Sequence, residues 1–280
     1  ARRDDDAPFC LMIHHKAPHR NWMADLKYLD LYEDVEFPEP ETLFDDYATR
    51  GDQMRQQQLT IDRHMGYAFD FKVEELKDEP TLQYIHDSWD IAMSTLTPEQ
   101  RRVWDDSYGR KNRDFLADRP EGKELLRWKY QRYIHDYCRT IRSVDDQIGR
   151  VLDYLEENGL MDNTLIVYTS DQGFLLGEHG LYDKRFMYEE SFRTPLVMRL
   201  GISVPVRSAG SWCRISTMPR RCSTPPALRS RTEWTAFRCN PCSAAERRVA
   251  GGRRSITSIT ITQPSAAYGR ITASGPIVTS

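Results

Sequence analysis

The segment that decides the fold is residues 164–195, TLIVYTSDQGFLLGEHGLYDKRFMYEESFRTP. It begins with a short β-branched apolar run at residues 165–168, which follows the turn-forming Asp162 and Asn163 and therefore predicts a buried strand. The strand is expected to stop at residues 170–173. In an open α/β sheet, ligands bind in the loops beyond the carboxyl ends of strands. The polar residues that follow this strand are therefore candidates for a functional site.

This loop brings together several residue types that can carry chemistry. Asp171 and Gln172 present a carboxylate and an amide oxygen side by side, and hard cations such as Ca²⁺ and Mg²⁺ prefer oxygen ligands. His179 and Lys184 follow within one loop's reach and could carry a proton and bind an anion. Each residue alone would be an ordinary turn or surface residue, but their combination favours a functional site.

A second apolar run, at residues 8–13, predicts another buried strand. Directly after it comes a cluster of imidazole and lysine side chains, His14, His15, Lys16 and His19. Pro18 cannot continue a strand ladder and restricts the residue before it, so this loop is stiffened. One of His14 and His15 could simply cap or fill the strand end.

Between the two strands the sequence predicts helices. Thr97 as N-cap and Pro98 in the first turn are typical of a helix start. Residues 122–157 carry apolar side chains at steps of three and four, which predicts an amphipathic helix whose charged residues are solvated. Asn158 and Gly159 are typical of its C-terminal end.

The remaining segments before the long helix are less regular. Residues 21–62 alternate aromatic, acidic and proline residues, which predicts a long excursion with one short helix near residues 41–49. Residues 63–95 are polar and weakly patterned. The succession of strand, long helix and strand predicts an α/β fold with a mostly parallel central sheet flanked by helices.

The pattern SDQG…LGEHG…DK…MYEES.RTPL closely resembles the second metal-binding and sulfate-binding segment of the sulfatase family, within the alkaline-phosphatase-like superfamily. The resemblance covers roughly residues 7–200 and is nearest to sulfatases that act on sulfated sugars of glycosaminoglycans or mucins. It implies a partial alkaline-phosphatase-like domain and, as partner, a sulfated carbohydrate or another sulfate ester.

The resemblance also implies roles for individual residues. Asp171 and Gln172 match two ligands of the family's metal, which is expected to be Ca²⁺, with Mg²⁺ as the alternative. His19 and Lys184 match catalytic residues near the scissile ester and could assist the leaving group. Lys16 is expected to add positive charge for the sulfate group, and His179 is expected to contact the sugar or the sulfate.

Sulfatases attack sulfur with formylglycine, which is made from Cys or Ser in a signature that resembles Cys-x-Pro-Ser/Cys-x-Arg. This sequence holds no match to it, since residues 239–243 lack the arginine. We therefore expect the formylglycine residue to be absent, together with the true amino terminus, and the chain alone to be inactive. A phosphodiesterase or phosphonate hydrolase of the same superfamily, a non-catalytic remnant that binds sulfated glycans and an unstable fragment are the alternatives.

The charge distribution breaks near residue 200. Residues 201–280 hold 12 Arg, no Lys and two acidic residues, whereas residues 1–200 hold 27 basic and 40 acidic residues. We therefore divide the chain into a partial catalytic domain, residues 1–200, and a tail rich in Arg, Ser, Thr and Pro, residues 201–280. The tail is expected to be irregular, because it is disordered or read from a shifted frame. It lacks the Lys and interleaved aromatic residues of a nucleic-acid-binding tail.

No apolar run approaches the roughly 20 residues that span a membrane, so no membrane partner is expected. The sequence does not determine the compartment or the oligomeric state. Members of the family are often secreted, periplasmic or lysosomal. Cys10 and Cys138 lie in apolar patterns and are expected to be buried thiols.

Overall fold

The structure is a computed structural model that describes residues 8–80, 83–200 and 257–262. Its α-helices are α1 Asp52–Gln56, α2 Ile61–His64, α3 Gln83–Ser94, α4 Pro98–Ala117, α5 Gly122–Glu157 and α6 Glu189–Phe192. Its strands are β1 Cys10–His14, β2 Thr164–Thr169, β3 Leu175–Leu176, β4 Tyr182–Asp183, β5 Leu196–Leu200 and β6 Thr257–Thr262. Among these described residues, no helix combines the length and the apolar character that crossing a bilayer requires.

Two compact units make up the chain. Of the described residues, the first unit, here called the sheet unit, takes in 8–15, 147–171, 194–200 and 257–262. The second, the helical unit, takes in 16–80, 83–146 and 172–193.

The sheet unit contains a four-stranded sheet in the order β1-β6-β2-β5. β6 pairs in parallel with both β1 and β2, and β2 pairs antiparallel with β5. Among the described strands, two of the three pairings in this sheet are parallel, and both involve β6. β6 lies within the tail that we expected to be irregular, so that expectation is wrong for residues 257–262. Residues 201–256 and 263–280 lie outside the described part of the chain.

The two predicted buried strands differ in their surroundings. β2 is buried along almost its whole length, and Ile166 packs against Leu155 near the end of α5. In β1, by contrast, Leu11 and Met12 are 44% and 54% exposed, and Cys10 is exposed as well. The prediction of a buried β1 is therefore wrong, because among the described residues β1 lies at the edge of the sheet and pairs with β6 alone.

In the helical unit, the first part of α5 presents an aromatic face to the core. Tyr130, Tyr133 and Tyr137 are buried there with Trp22 and Phe174. The Trp22 and Tyr133 rings have centroids 4.5 Å apart, and the Tyr137 and Phe174 rings 5.6 Å. The predicted helix is thus confirmed, and its stripe is built from large rings that each bury much apolar area.

The charged side chains of α5 are not all solvated, which corrects the prediction from its stripe. Asp136 and Arg139 are buried and form an ion pair with Oδ1 and Nη1 3.0 Å apart. The same Asp136 oxygen accepts a hydrogen bond of 2.9 Å from the hydroxyl of Tyr108 on α4. Because α4 and the excursion cover this side of α5, its charges are buried and must be paired.

The predicted start of α4 is confirmed. The Thr97 hydroxyl accepts a hydrogen bond from the Gln100 backbone N–H, and the Gln100 side chain accepts one from the Thr97 N–H. This reciprocal capping box, with Pro98 at the first position, fixes the start of the helix.

Residues 63–95, predicted as weakly patterned, contain α3. Ile85, Trp89 and Met93 lie four residues apart along it and are buried in one cluster with Trp104 and Tyr108 of α4. Three apolar positions among many polar ones give a stripe one residue wide, which explains why the periodicity was weak.

The short helix expected near residues 41–49 does not form. The Asp45 carboxylate accepts the Tyr47 N–H at 2.9 Å, and the Asp46 carboxylate accepts the Ala48 N–H at 2.8 Å. Each aspartate thereby bonds the backbone two residues ahead and stabilises a turn instead of a helix. The first α-helix begins later, at Asp52.

A close backbone approach at Gly173 provides a test of this packing. A Cβ atom there would lie 1.9 Å from the Glu190 carbonyl oxygen and 2.9 Å from that of Arg193. We expect Gly173→Ala to lower the free energy of unfolding by about 3 kcal/mol, because the backbone must shift. Urea unfolding followed by circular dichroism measures this.

The matched control is Gly109→Ala in α4, where an added Cβ meets no atom within 4 Å. It should raise stability by roughly 0.5–1 kcal/mol through helix propensity. Equal effects of the two substitutions would contradict the packing described here.

Candidate active site

The β3–β4 hairpin carries two of the predicted site residues. Leu175 pairs with Asp183 and Leu176 with Tyr182, so that His179 lies in the connecting turn and Lys184 directly follows β4. Gly177 and His179 have left-handed backbone conformations, with φ of 108° and 56°. A histidine with positive φ is uncommon and requires contacts that hold it there.

Those contacts come from the excursion at residues 42–47. The His179 N–H donates to Thr42 Oγ1 at 2.8 Å, the Tyr47 hydroxyl donates to the His179 carbonyl oxygen, and His179 Nδ1 lies 2.8 Å from Asp45 Oδ2. The imidazole ring also stacks on Tyr188, with ring centroids 4.3 Å apart. The excursion therefore fixes both the backbone and the ring of His179.

Asp45 serves as the carboxylate partner of His179. Burial alone would raise the pKa of Asp45, but the Tyr47 N–H, the hydrogen bond from His179 and Arg50 together lower it. Because an ionised carboxylate only accepts, Nδ1 is the donor and Nε2 is the ring nitrogen that remains for another partner. The predicted contact of His179 with a sugar or sulfate stays a prediction.

Lys184 is half-buried, and its Nζ lies 5.5 Å from the centroid of the Phe174 ring. The same Nζ is 3.1 Å from Asp183 Oδ1, and Arg185 Nε donates to Asp183 Oδ2 at 3.0 Å. Burial would raise the pKa of Asp183, but these two cations outweigh it and lower that pKa. One carboxylate thus faces two cations, which leaves a net positive charge on this segment.

His19 and Lys16 lie in the stiffened loop after β1. The His19 N–H donates to the Lys16 carbonyl oxygen at 3.0 Å, and His19 Nδ1 lies 2.8 Å from the Arg20 carbonyl oxygen. The Lys16 side chain is exposed, and His19 is half-buried. A lysine and an imidazole are therefore held on one turn.

Sequence reasoning missed Arg20, although it follows His19 directly. Its guanidinium donates from Nε to Asp70 Oδ1 at 2.6 Å, with a second bond from Nη2 to Asp70 Oδ2. Nη1 donates to the hydroxyls of Tyr84 and Tyr182, each at 3.1 Å. Tyr182 lies two residues before Lys184. The structure thus connects the His19 loop to the hairpin of Lys184 through one side chain.

The predicted metal ligands occupy the end of β2. Asp171 is exposed and is the last residue of its segment of the sheet unit, while Gln172 is half-buried and begins the next segment of the helical unit. Ca²⁺ takes six to eight oxygen ligands and Mg²⁺ about six. Across the described residues, no group of three or more His, Cys, Asp and Glu side chains is placed to hold a metal ion. These residues do not build a complete site, and we assign no step to a metal.

The supporting residues that the sequence did not reveal are Arg20, Asp45, Asp70, Tyr182 and Tyr188. Asp70 lies 50 residues after Arg20, and Asp45 lies 134 residues before His179. No local spacing encodes such pairs. Arg20 directly follows His19 and Tyr182 lies two residues before Lys184, and this nearness in sequence is the signal that could have suggested these two residues.

The Asp183 cluster predicts a pH-dependent stability. Because its folded pKa is lowered, the carboxylate stabilises the fold above its ordinary pKa near 4, and this contribution disappears as the pH falls through the folded value. Asp183→Asn should therefore cost about 1–3 kcal/mol of unfolding free energy at pH 7 and less at pH 3, below the ordinary pKa of the carboxyl. Urea unfolding at several pH values measures the difference.

Asp52→Asn is the control, because Asp52 forms an exposed pair with Arg55, 3.6 Å apart. It should change stability by less than about 0.5 kcal/mol at either pH. A cost of Asp183→Asn that does not depend on pH would contradict the charge interaction.

The sequence profile of the sulfatase family matches residues 1–205. An N-acetylglucosamine-6-O-sulfatase of Bacteroides thetaiotaomicron is 44% identical over 213 residues, which are 75% of this chain and 37% of that protein. An N-acetylglucosamine-6-sulfatase of Capra hircus is 27% identical over 144 residues, which are 47% of this chain and 26% of the relative.

A solved structure, described as a complex with its substrate D-glucosamine-2-N,6-O-disulfate, superposes with a TM-score of 0.65 at 43% identity. The superposition covers 75% of this chain and 41% of the chain in that structure. It indicates a sulfatase-like fold. The chain spans less than half the length of these relatives. Because the family profile matches residues 1–205, this chain belongs to the sulfatase family.

Proposed function

We propose that this chain carries the residues of a sulfatase that bind a sulfate ester and that would donate a proton to its leaving group, and that the substrate is a 6-O-sulfated glucosamine derivative. The observation that carries the proposal is the link through Arg20, which joins the loop of His19 to the hairpin of Lys184. The substrate class rests on the names of the relatives, two of which are N-acetylglucosamine-6-sulfatases.

Binding a sulfate ester requires positive charge at its oxygens. Lys184 supplies an ammonium group at the end of the hairpin, and the neighbouring Asp183 is shared with Arg185, so the segment keeps a net positive charge. Lys16 adds an exposed ammonium group from the His19 loop. Charge-assisted hydrogen bonds from such groups are the strongest available to an anion.

Cleavage of the ester releases an alkoxide that needs a proton. His19 can supply it from Nε2, because its Nδ1 is occupied by the Arg20 carbonyl oxygen. His179 is proposed to contact the sugar through Nε2, since Asp45 occupies its Nδ1. Asp171 and Gln172 are proposed as two ligands of Ca²⁺, or of Mg²⁺.

The proposed binding and proton transfer do not supply the nucleophile that must attack sulfur. The family's formylglycine signature has no counterpart in this sequence, so we propose that the 280-residue chain binds the sulfate ester without hydrolysing it. Sulfate release can be followed by ion chromatography. Release above the rate of a Lys184→Ala variant would contradict this part of the proposal.

Binding of glucosamine 6-sulfate tests the site directly. We expect Lys184→Ala to weaken binding about tenfold to a hundredfold, because a charge-assisted hydrogen bond to the sulfate is lost. Glucosamine without sulfate should bind poorly, and glucosamine 6-phosphate should bind as well as the sulfate only if the site is that of a phosphate-ester hydrolase. Isothermal titration calorimetry measures all three ligands.

Lys123→Ala is the matched control, because Lys123 Nζ lies 5.4 Å from the Phe44 ring centroid, much as Lys184 Nζ lies over Phe174. It should leave the affinity unchanged. An equal loss in the two variants, or no loss in Lys184→Ala, would refute the assignment of Lys184.

A further inference from the structure

The His19 imidazole has a defined hydrogen-bonding role at one nitrogen. Nδ1 lies 2.8 Å from the carbonyl oxygen of Arg20. A carbonyl oxygen only accepts, so Nδ1 must carry a proton, and in the neutral ring Nε2 is then the nitrogen without one. The position of the Arg20 carbonyl therefore determines which tautomer His19 adopts.

The side chain of the same residue, Arg20, is held by four hydrogen bonds. The Arg20 guanidinium makes two hydrogen bonds to Asp70, which is fully buried and also accepts the Gly66 N–H at 2.7 Å. It makes two more to the Tyr84 and Tyr182 hydroxyls and lies over the Tyr182 ring, 4.9 Å from its centroid. A guanidinium fixed at Nε, Nη1 and Nη2 has little freedom to rotate.

We infer that Asp70 and Tyr182 are positioning residues that act through Arg20 to hold His19 as the Nδ1–H tautomer, with Nε2 as its only site of proton exchange. The consequence for catalysis rests on the proposed function. When the imidazolium gives the Nε2 proton to the leaving alkoxide, the N–H bond breaks, the alcohol O–H bond forms and the ring becomes neutral. The Nδ1–H bond to Arg20 is present before and after, so the transfer requires no rearrangement there.

The tautomer of His19 can be measured in the ligand-free full chain by ¹⁵N NMR of protein labelled with ¹⁵N-histidine. His19→Gln identifies the signal of His19 among the seven histidines. The unaltered chain should show the neutral ring as the Nδ1–H form. Asp70→Asn and Arg20→Lys should raise the ratio of the Nε2–H to the Nδ1–H form at least about tenfold, because the guanidinium fork is lost.

Two tyrosines provide a matched pair. Tyr182→Phe and Tyr84→Phe each remove one hydroxyl that lies 3.1 Å from Arg20 Nη1, but Tyr182 is 1% exposed and Tyr84 is 53% exposed. We expect Tyr182→Phe to raise the ratio about threefold, because a buried hydrogen bond is not replaced by water. Tyr84→Phe should leave it unchanged.

Circular dichroism shows whether each variant folds. If Asp70→Asn does not fold, the tautomer ratio of Tyr182→Phe tests the inference. Folded Arg20→Lys and Tyr182→Phe variants with the unaltered tautomer ratio would overturn the inference. The measurement needs no sugar, so a failure of glucosamine 6-sulfate to bind would refute the proposed function alone.

Discussion

The ion pair between Arg20 and Asp70 is the constraint on which the rest of the candidate site depends. Asp70 is fully buried, and the Arg20 side chain is 10% exposed. A buried charge without a partner is strongly unfavourable, so the fold must keep both groups together and satisfy the remaining donors of Arg20 and the remaining acceptors of Asp70. The two tyrosine hydroxyls and the Gly66 N–H do so. The loop of His19 therefore has few alternative conformations.

The hairpin of His179 and Lys184 is held by a different kind of interaction. The Tyr133 hydroxyl on α5 donates to the Leu175 carbonyl oxygen at 3.0 Å, and Leu175 and Leu176 are fully buried. Packing fixes the strands of the hairpin, while Thr42 and Tyr47 hold the uncommon backbone of its turn and Asp45 holds the His179 ring. Strain of this kind persists only where the surroundings over-determine it, which is a reason to place function at His179.

How much of this could be predicted from the sequence depended on the range of the interaction. The capping box at Thr97 and the stripe of α5 are local, and both predicted helices formed. The buried Asp136 of α5 and the exposed Leu11 of β1 depend on which distant elements cover them, and both were predicted wrongly. For the site, the family pattern predicts roles for His179 and Lys184, but a supporting residue such as Asp45, the partner of His179, lies too far along the chain to be inferred.

The local arrangement of charges is compatible with the proposed binding of an anion by an acidic chain. Residues 1–200 carry 13 more acidic than basic residues, yet in the helical unit Asp70 is bonded to Arg20 and Asp183 faces both Lys184 and Arg185. In that last trio one carboxylate faces two cations, and Lys16 is exposed on the His19 loop. Because charges more than about 8 Å apart are largely screened at physiological ionic strength, the proposed sulfate would respond chiefly to the cations next to it. The attraction is therefore local, and the overall charge of the chain says little about its ligand.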